Sequence, residues 1–241
     1  MSTGALPGRR GGAAVAHALS ELRARVVSGS LAPGAELSQI RLAEELGVST
    51  TPLREALRRL EAEGLIETRP NRRARVPPLD ADDVDAVYCA RIALESLAVS
   101  LAAPAFADAD VSALRDDLAA MRRAAAPSEL AAWDVAHASF HRRLVDTGNP
   151  ALTGQIDATM ARSDRYRRLS VHGDDPAGRI AGDREHAAIV EAAAARDGNR
   201  AAVLLARHLA RSALTLVAHL APEADPASVR AALQSVLCWA A

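Results

Sequence analysis

The sequence predicts a mainly α-helical fold in two domains, and three observations support this. Of the 241 residues, 49% are hydrophobic but only 2% are aromatic, and the abundant alanine favours helices that pack closely through small side chains. Pro77-Pro78 cannot continue a helix and marks a domain boundary. Residues 1–78 carry 12 Arg and 8 Glu, a net charge of +4, whereas the rest carries 17 Arg and 22 acidic residues, a net charge of −5. A basic domain therefore precedes an acidic one.

The first domain is predicted to span residues 13–78, after a disordered tail of residues 1–12. Apolar residues at helical spacing predict a first helix over residues 14–27, which the Gly- and Pro-containing stretch SGSLAPG ends. A short second helix is predicted over residues 39–46. Gly47 follows it, at the position where a left-handed residue commonly ends a helix.

The third helix and a hairpin complete this domain. Thr51 is the expected N-cap of the helix, Pro52 the first helical residue, and Gly64 follows its end. Between them, Leu53, Ala56, Leu57 and Leu60 form an apolar stripe with i, i+3, i+4, i+7 spacing. The extended segments LIET and RARV then flank RPNR and predict a β-hairpin.

The second and third helices have the spacing of a helix-turn-helix, with the turn at Gly47. The second helix of such a unit enters the DNA major groove N-terminus first, so Thr50 and Thr51 would face phosphates or base edges. Arg54 and Arg58 would project from its exposed side. The alternative is a capped surface helix with solvated arginines, but the cap, turn, hairpin and basic charge together favour DNA binding.

The run from Leu37 to Ile66, L-x-x-x-x-L-A-E-E-L-G-V-S-T-T-P-L-R-E-A-L-R-R-L-E-A-E-G-L-I, resembles the winged helix of the GntR family of bacterial transcription regulators. The resemblance implies that the third helix contacts DNA and that the hairpin is the wing, which reaches the minor groove. The family usually has Arg where Thr50 and Ile40 stand, which changes the expected operator sequence. The predicted DNA-contacting residues are Arg41, Ser49, Thr50, Thr51, Arg54, Arg58, Asn71, Arg72 and Arg73.

The second domain, residues 79–241, is predicted to be an all-helical bundle of six to seven helices. Six are expected near residues 82–102, 108–125, 128–147, 150–170, 179–197 and 199–219, with 226–239 as the seventh. The segments DDVDAVYCARIALESLAVSLAA, FHRRLVDTGNPAL and EHAAIVEAAAARDGNRAAVLLARHL resemble the FadR-type branch of the same family. This resemblance implies an FCD domain that binds an effector and forms the dimer.

Four histidines of this bundle predict a metal site. His137 and His141 are four residues apart and lie on one helix face. His186 and His208 lie at similar distances on either side of the RDGN turn, so an antiparallel helical hairpin brings them level. Together they predict a four-nitrogen site for a divalent ion such as zinc, with nickel and manganese as alternatives. A single histidine would more often be a hydrogen-bonded core residue.

The family resemblance also implies an acidic ligand. Many FadR-type domains have an Asp at the position of His137, together with three histidines. Asp134 precedes His137 by about one turn, and it could bind the metal directly or orient His137.

An effector site is expected beside the metal. Arg91, in the segment YCARIALE, matches an Arg that faces the effector cavity in the family. A guanidinium next to a divalent cation would bind a small carboxylate effector. The alternative for Arg91 is an ion pair with Glu95, four residues later. Arg162 and Arg165 are further candidates for the same pocket.

The expected protein is a ligand-responsive repressor that binds an inverted-repeat operator in double-stranded DNA as a homodimer. It is expected in the cytoplasm and away from the membrane, because there is no 18-residue apolar run and no signal-type N-terminus. Cys89 and Cys238 lack metal-type spacing and are expected to be two buried thiols rather than a disulfide.

The alternative function is a metal-dependent hydrolase that uses the histidine cluster, with Glu185 as the general base. H-E-x-x-H and G-x-S-x-G motifs are both absent from the sequence. The predicted protein is therefore not an enzyme.

Overall fold

The computed structural model describes most of the chain, namely residues 7–62, 65–68, 73–78, 80–124, 126, 129–170 and 176–239. These residues contain ten α-helices, one 3-10 turn and one two-stranded sheet, so the mainly α-helical prediction is confirmed. Two compact units are present, one made of residues 1–80 and 161–172 and the other of residues 81–160 and 173–241. The sequence does not predict the grouping of residues 161–172 with the first unit, because no break interrupts the helical pattern there.

The first unit contains α1 (Pro7–Val27), α2 (Gln39–Leu46) and α3 (Thr50–Ala62). Both α1 and α2 pack against α3. Their shared core includes Leu22, Leu46, Leu53 and Leu60. Residues 7–12 are helical where a disordered tail was predicted. Pro7 is compatible with this helix because it sits in the first turn, where its missing N–H costs no intrahelical hydrogen bond. Residues 1–6 of the predicted tail lie outside the described residues.

The turn between α2 and α3 follows the prediction at one end and differs from it at the other. Gly47 adopts the left-handed conformation, with φ of 62°. However, α3 begins at Thr50, so Ser49 precedes the helix and Thr51 is not its N-cap. Pro52 is thus the third helical residue and not the first, and it is tolerated there because the N–H groups of the first turn have no intrahelical acceptor.

A small sheet accompanies these helices. Strand β1 (Glu36–Leu37) pairs antiparallel with β2 (Ala74–Arg75). On the side of β2 that faces away from β1, Arg75 exchanges two backbone hydrogen bonds of 2.9 Å with Glu67, as the predicted hairpin requires. The sequence did not predict β1, because two residues are too short to show a period of two. The hairpin tip, with Asn71 and Arg72, lies outside the described residues.

Seven helices lie wholly or partly in the second unit, as the sequence predicts. They are α4 (Ala81–Ala102), α5 (Asp108–Arg123), α6 (Leu130–Leu144), α7 (Pro150–Ser170), α8 (Pro176–Ala194), α9 (Gly198–Leu220) and α10 (Ala227–Trp239). Of α7, residues 150–160 belong to this unit and the remainder to the first. A 3-10 turn, Ala103–Ala105, follows α4.

The α4, α9 and α10 helices pack against one another, and α8 packs against α5 and α9. The start of α9 lies close to the end of α4: a Cβ atom on Gly198 would be 2.4 Å from the carbonyl oxygen of Ser100. Only glycine allows this approach. At the other end of α4, the Asp85 carboxylate accepts hydrogen bonds from the backbone N–H groups of Ser228 (3.1 Å) and Val229 (2.8 Å) in the first turn of α10.

Two helical segments, Ala81–Ala105 and Gly198–Leu220, are long and apolar enough to span a membrane by length and mean hydropathy, which the sequence analysis did not anticipate. In each, 56% of the most apolar window is buried inside the protein. Because α4 and α9 pack against each other, their apolar side chains serve the core of the bundle.

Candidate functional site

The α3 helix separates its apolar stripe from the side chains predicted to meet DNA. Leu53, Ala56, Leu57 and Leu60 are buried. The exposed residues include Ser49, Thr50, Thr51, Arg54 and Arg58. The structure therefore places Thr50, Thr51, Arg54 and Arg58 on the exposed side of the second helix of the helix-turn-helix, and Ser49 directly before its first residue.

The arginines of α3 differ in their partners. Arg54 Nε donates a hydrogen bond of 3.2 Å to Gln39 Oε1, a neutral group. Arg59 and Arg58 instead contact the Glu55 carboxylate at 3.1 and 2.7 Å, and their hydrogen bonds lower the pKa of Glu55. Gln39 thus orients Arg54 without compensating its charge, which suits a residue that reads bases.

Two further predicted DNA contacts, Arg41 and Arg73, lie outside α3 and are exposed. The guanidinium of Arg41 lies 3.7 Å from Glu45, and that of Arg73 lies 3.9 Å from Glu36. Exposed ion pairs at such distances contribute little to stability. Both arginines could therefore exchange a carboxylate for a phosphate.

The four predicted histidines come together inside the second unit. The α6 helix supplies His137 and His141, α8 supplies His186, and α9 supplies His208. All four are buried, with exposed fractions of 7, 0, 3 and 5%. One ring nitrogen from each lies within 4.8 Å of those of the other three.

This cluster has the donor set of a metal site. Two nitrogens bound to one ion at about 2.1 Å are at most about 4.2 Å apart, so the separation of up to 4.8 Å requires only a small closure. The four imidazoles could therefore hold a divalent metal ion.

A carboxylate orients one of these histidines. Glu185 Oε2 lies 2.8 Å from His208 Nδ1, and Arg211 binds the same carboxylate through Nε (2.6 Å) and Nη2 (2.7 Å). Burial raises the pKa of Glu185, but hydrogen bonds from His208 and Arg211 outweigh it and lower the pKa to about 2. A neutral His208 that donates from Nδ1 keeps the lone pair of Nε2 for a metal.

A second carboxylate lies beside His141. Glu95 Oε2 is 3.6 Å from His141 Nδ1, and Arg91 binds Glu95 through Nε (2.5 Å) and Nη2 (3.2 Å). Burial raises the pKa of Glu95, but the charge and hydrogen bonds of Arg91, together with the nearby His141, lower it to about 2. Arg91 also lies over the Tyr88 ring, 5.2 Å from its centroid. The structure thus shows the ion pair that the sequence analysis gave as the alternative for Arg91.

The other predicted site residues are placed less directly. Asp134 is buried but is not in the group of four ligands. On the same helix, Trp133 stacks on His137 with 4.6 Å between ring centroids. Arg162 is exposed on α7, and the side chain of Arg165 lies outside the described residues. The sequence analysis missed Arg211, whose i+3 spacing from His208 was its only signal.

A surface cleft of about 490 Å³ lies elsewhere in this unit, near the end of α6, and contains none of the four histidines. Its polar side chains already serve local structure. Asp110 accepts from the Ala107 N–H, Asp146 accepts from the Gly148 N–H, and Arg143 pairs with Asp117 at 2.8 Å. The histidine cluster is therefore the stronger candidate for ligand chemistry.

Comparison with known proteins agrees with both parts of the chain. The pattern of the bacterial regulatory proteins of the gntR family matches residues 14–76, and that of the FCD domain matches residues 86–211. The uncharacterized HTH-type transcriptional regulator BphR of Paraburkholderia xenovorans is 34% identical over 198 residues, covering 79% of this chain and 80% of the relative. The chain belongs to the GntR family.

Other relatives extend this similarity. The HTH-type transcriptional repressor GlaR of Escherichia coli is 28% identical over 195 residues, 78% of this chain and 89% of GlaR. The solved structure of E. coli McbR/YncC superposes with a TM-score of 0.74 at 24% identity, covering 86% of this chain and 98% of McbR. That structure supports the fold alone.

As a GntR-family protein the chain is a transcription regulator and not an enzyme. The one general-base candidate for a hydrolase, Glu185, is bound by both His208 and Arg211, and its pKa of about 2 makes it a weak base near neutral pH. The contacts of Glu185 suit the support of a ligand site better than proton abstraction.

Glu185→Gln is expected to weaken metal binding by this GntR-family regulator about 10- to 100-fold, because an amide holds His208 and Arg211 less strongly than a carboxylate. Metal titration of the chelator-treated protein measures this. Glu191→Gln is the matched control, because Glu191 lies on the same helix and is 68% exposed. Equal metal affinity of Glu185→Gln and wild type would mean that the carboxylate does not support a metal site.

The stability of the metal-free protein should depend on His208 in acid. Burial lowers the pKa of His208 to about 4, against about 6.5 for a free imidazole, so the unfolded chain takes up this proton first. Above about pH 6.5, neutral His208 makes its full contribution to the free energy of unfolding. This contribution is lost as the pH falls towards 4, and the total loss is about 3 kcal/mol. Unfolding free energies near neutral pH and at about pH 5 should therefore differ more for wild type than for His208→Gln. His219→Gln, at an exposed position of the same helix, should behave as wild type.

Proposed function

We propose that the chain is a ligand-responsive repressor that binds an inverted-repeat operator as a homodimer. A small organic acid, bound near a divalent metal ion in the second unit, controls its affinity for DNA. The observation that carries this proposal is the cluster of four buried histidines, because buried imidazoles held within 4.8 Å of one another suit a shared ligand. The similarity to the repressor GlaR, whose alignment covers 78% of this chain, supports repression rather than activation.

The metal we propose is zinc, held by His137, His141, His186 and His208. Imidazole donors suit zinc and nickel, whereas manganese favours oxygen ligands, which this group of four lacks. The bound ion would supply a Lewis acid that accepts a carboxylate oxygen of the effector. Asp134 remains a candidate to orient His137.

The role we propose for Arg91 differs from a direct contact with the effector. Two hydrogen bonds tie its guanidinium to the buried Glu95, and an effector carboxylate would have to displace that carboxylate. Arg91 instead holds Glu95 beside His141. Arg162 and Arg165 fall in the first compact unit, and we give them no role at this site. The effector must bind the DNA-competent and DNA-incompetent states with different affinity, typically by about 1–3 kcal/mol.

The exposed face of α3 would read the operator, with Arg54 on base edges and Ser49, Thr50 and Thr51 near the backbone. A single domain of net charge +4 makes few phosphate contacts, so tight specific binding requires two copies. A two-fold dimer presents two such helices to an inverted repeat.

Arg54→Ala tests this proposal. Loss of a bidentate base contact should weaken binding to a duplex selected by the wild-type protein by about 1–3 kcal/mol at physiological salt, while binding to unrelated DNA changes less. Gel retardation or fluorescence anisotropy with both duplexes measures the difference.

Arg59→Ala is the matched control. Arg59 lies on the same helix, about 140° around it from Arg54 at about 100° per residue, and its partner is Glu55. Its loss should leave specific affinity nearly unchanged. Wild-type affinity and specificity in Arg54→Ala would remove the assignment of α3 as the recognition helix.

A further inference from the structure

Three aromatic side chains lie in a row along α6. Trp133, His137 and His141 are each four residues apart, so neighbouring members are displaced by only about 40° around the helix axis. The ring centroids of Trp133 and His137 are 4.6 Å apart, with 20° between the ring planes. Those of His137 and His141 are 4.5 Å apart. We call these three rings the α6 column.

The α6 column runs from the surface to the interior of the second unit. Trp133 is half-buried, whereas His137 is 7% exposed and His141 is fully buried. At the inner end, Phe140 is fully buried and packs edge-to-face on His141 and His186, with ring centroids 5.5 and 5.0 Å apart. Trp133 is therefore the member of the column nearest to solvent, and its ring covers one face of His137.

A ring face and a carboxylate support an imidazole in different ways. Glu185 holds His208 through a hydrogen bond to Nδ1. Trp133 instead meets His137 face to face, and the face of an indole is electron-rich and attracts positive charge. An imidazole that binds a divalent ion carries part of the charge of the ion. The contact between the two rings is therefore stronger in the metal-bound protein than in the metal-free protein.

We propose that Trp133 is a positioning residue of the metal site, which acts through His137. This inference rests on the metal ion of the proposed function and adds a residue that lies outside the group of four ligands. The indole holds the His137 imidazole in the orientation that the cluster requires, and it covers the outer end of the α6 column. Loss of such a supporting residue weakens metal binding although every ligand is still present. It also exposes His137 to water, so the ion should leave faster.

Trp133→Leu removes the aromatic face and keeps an apolar side chain at this position. We expect the metal affinity of the chelator-treated protein to fall about 3- to 10-fold, the scale of one aromatic contact, and the rate of metal transfer to an excess of chelator to rise. Trp133→Phe keeps an aromatic face and should stay within about 3-fold of wild type. Trp239→Leu is the matched control, because Trp239 is 50% exposed and lies on α10, and it should bind and release metal as wild type does.

Fluorescence gives a second measurement, which leaves the site unchanged and does not depend on the folding of Trp133→Leu. The chain has two tryptophans, so Trp133 is the only one in a Trp239→Phe protein. Ni²⁺ quenches an indole close to it, so its addition should reduce the fluorescence of this protein in proportion to the metal bound. Zn²⁺, with its filled d shell, should change the fluorescence less. In a Trp133→Phe protein the fluorescence of Trp239 should change little with either ion.

Two results would overturn the role of Trp133 and leave the histidine site in place. One is equal metal affinity and an equal release rate for Trp133→Leu and wild type. The other is Trp133 fluorescence that stays constant while Ni²⁺ binds stoichiometrically. Wild-type protein that binds neither Zn²⁺ nor Ni²⁺ would instead overturn the metal site itself, and this inference with it.

Discussion

Replacing His186 and His208 together by alanine is expected to leave a folded protein that binds its operator but carries no stoichiometric metal and no longer responds to an organic acid. The two residues supply half of the ligand nitrogens of the cluster, from α8 and α9. Loss of a supporting residue alone costs about 10- to 100-fold in metal affinity, so removal of two ligands should weaken binding by more than about 100-fold. The histidines lie in the FCD domain, outside the residues matched to the DNA-binding domain, so operator affinity should stay within a few-fold of wild type.

Three measurements are needed for this variant. They are metal content by elemental analysis, operator affinity by gel retardation, and the change of that affinity on addition of small mono-, di- and tricarboxylates. His219→Ala is the matched control, because His219 lies on α9 with His208 but is exposed and contacts the Thr215 carbonyl oxygen. A wild-type concentration dependence of the carboxylate response in the double variant, or wild-type protein purified without stoichiometric metal, would contradict the metal-centred mechanism and leave the regulator assignment in place.

Arg91→Met should destabilise the second unit by about 3–5 kcal/mol, because it leaves the carboxylate of Glu95 buried without its cationic partner. Glu95 is fully buried, and burial raises the pKa of its carboxyl group. The positive charge of Arg91 is the largest of the effects that lower this pKa, to about 2. Without Arg91 the pKa of Glu95 should rise. The deficit in unfolding free energy should therefore be largest near neutral pH and shrink in acid, where Glu95 binds a proton.

Two comparisons separate this effect from a general loss of packing. Arg142→Met removes an ion pair with Asp157 at a position where Arg142 is 61% exposed, and should cost less than about 1 kcal/mol. Arg91→Met combined with Glu95→Leu should recover much of the lost stability, because neither charge is then buried alone. Denaturant unfolding of the metal-free proteins measures all four. If Arg91→Met and Arg142→Met were equally stable, the buried pair would not contribute as its geometry indicates.

The sequence was sufficient where the signal is local. The apolar stripe of α3, the left-handed Gly47 and the paired spacing of His137 with His141 are set within a few turns of chain, and the structure shows all three. The pairing of His186 with His208 also followed from spacing, because a short turn between two helices brings equidistant residues level.

Contacts between helices were decided by tertiary structure. Spacing allowed Arg91 either to face an effector or to pair with Glu95, and only the packing around α4, which buries both, selected the pair. Arg211 joins Glu185 and His208 across two helices, a contact that depends on the rotation of each helix about its axis. The sequence by itself therefore determined the helices, the helix-turn-helix and the four histidines. The tertiary structure decided which carboxylates support the histidines and which face of α4 stays exposed, because periodicity specifies positions along a helix but not the neighbour that each side chain meets.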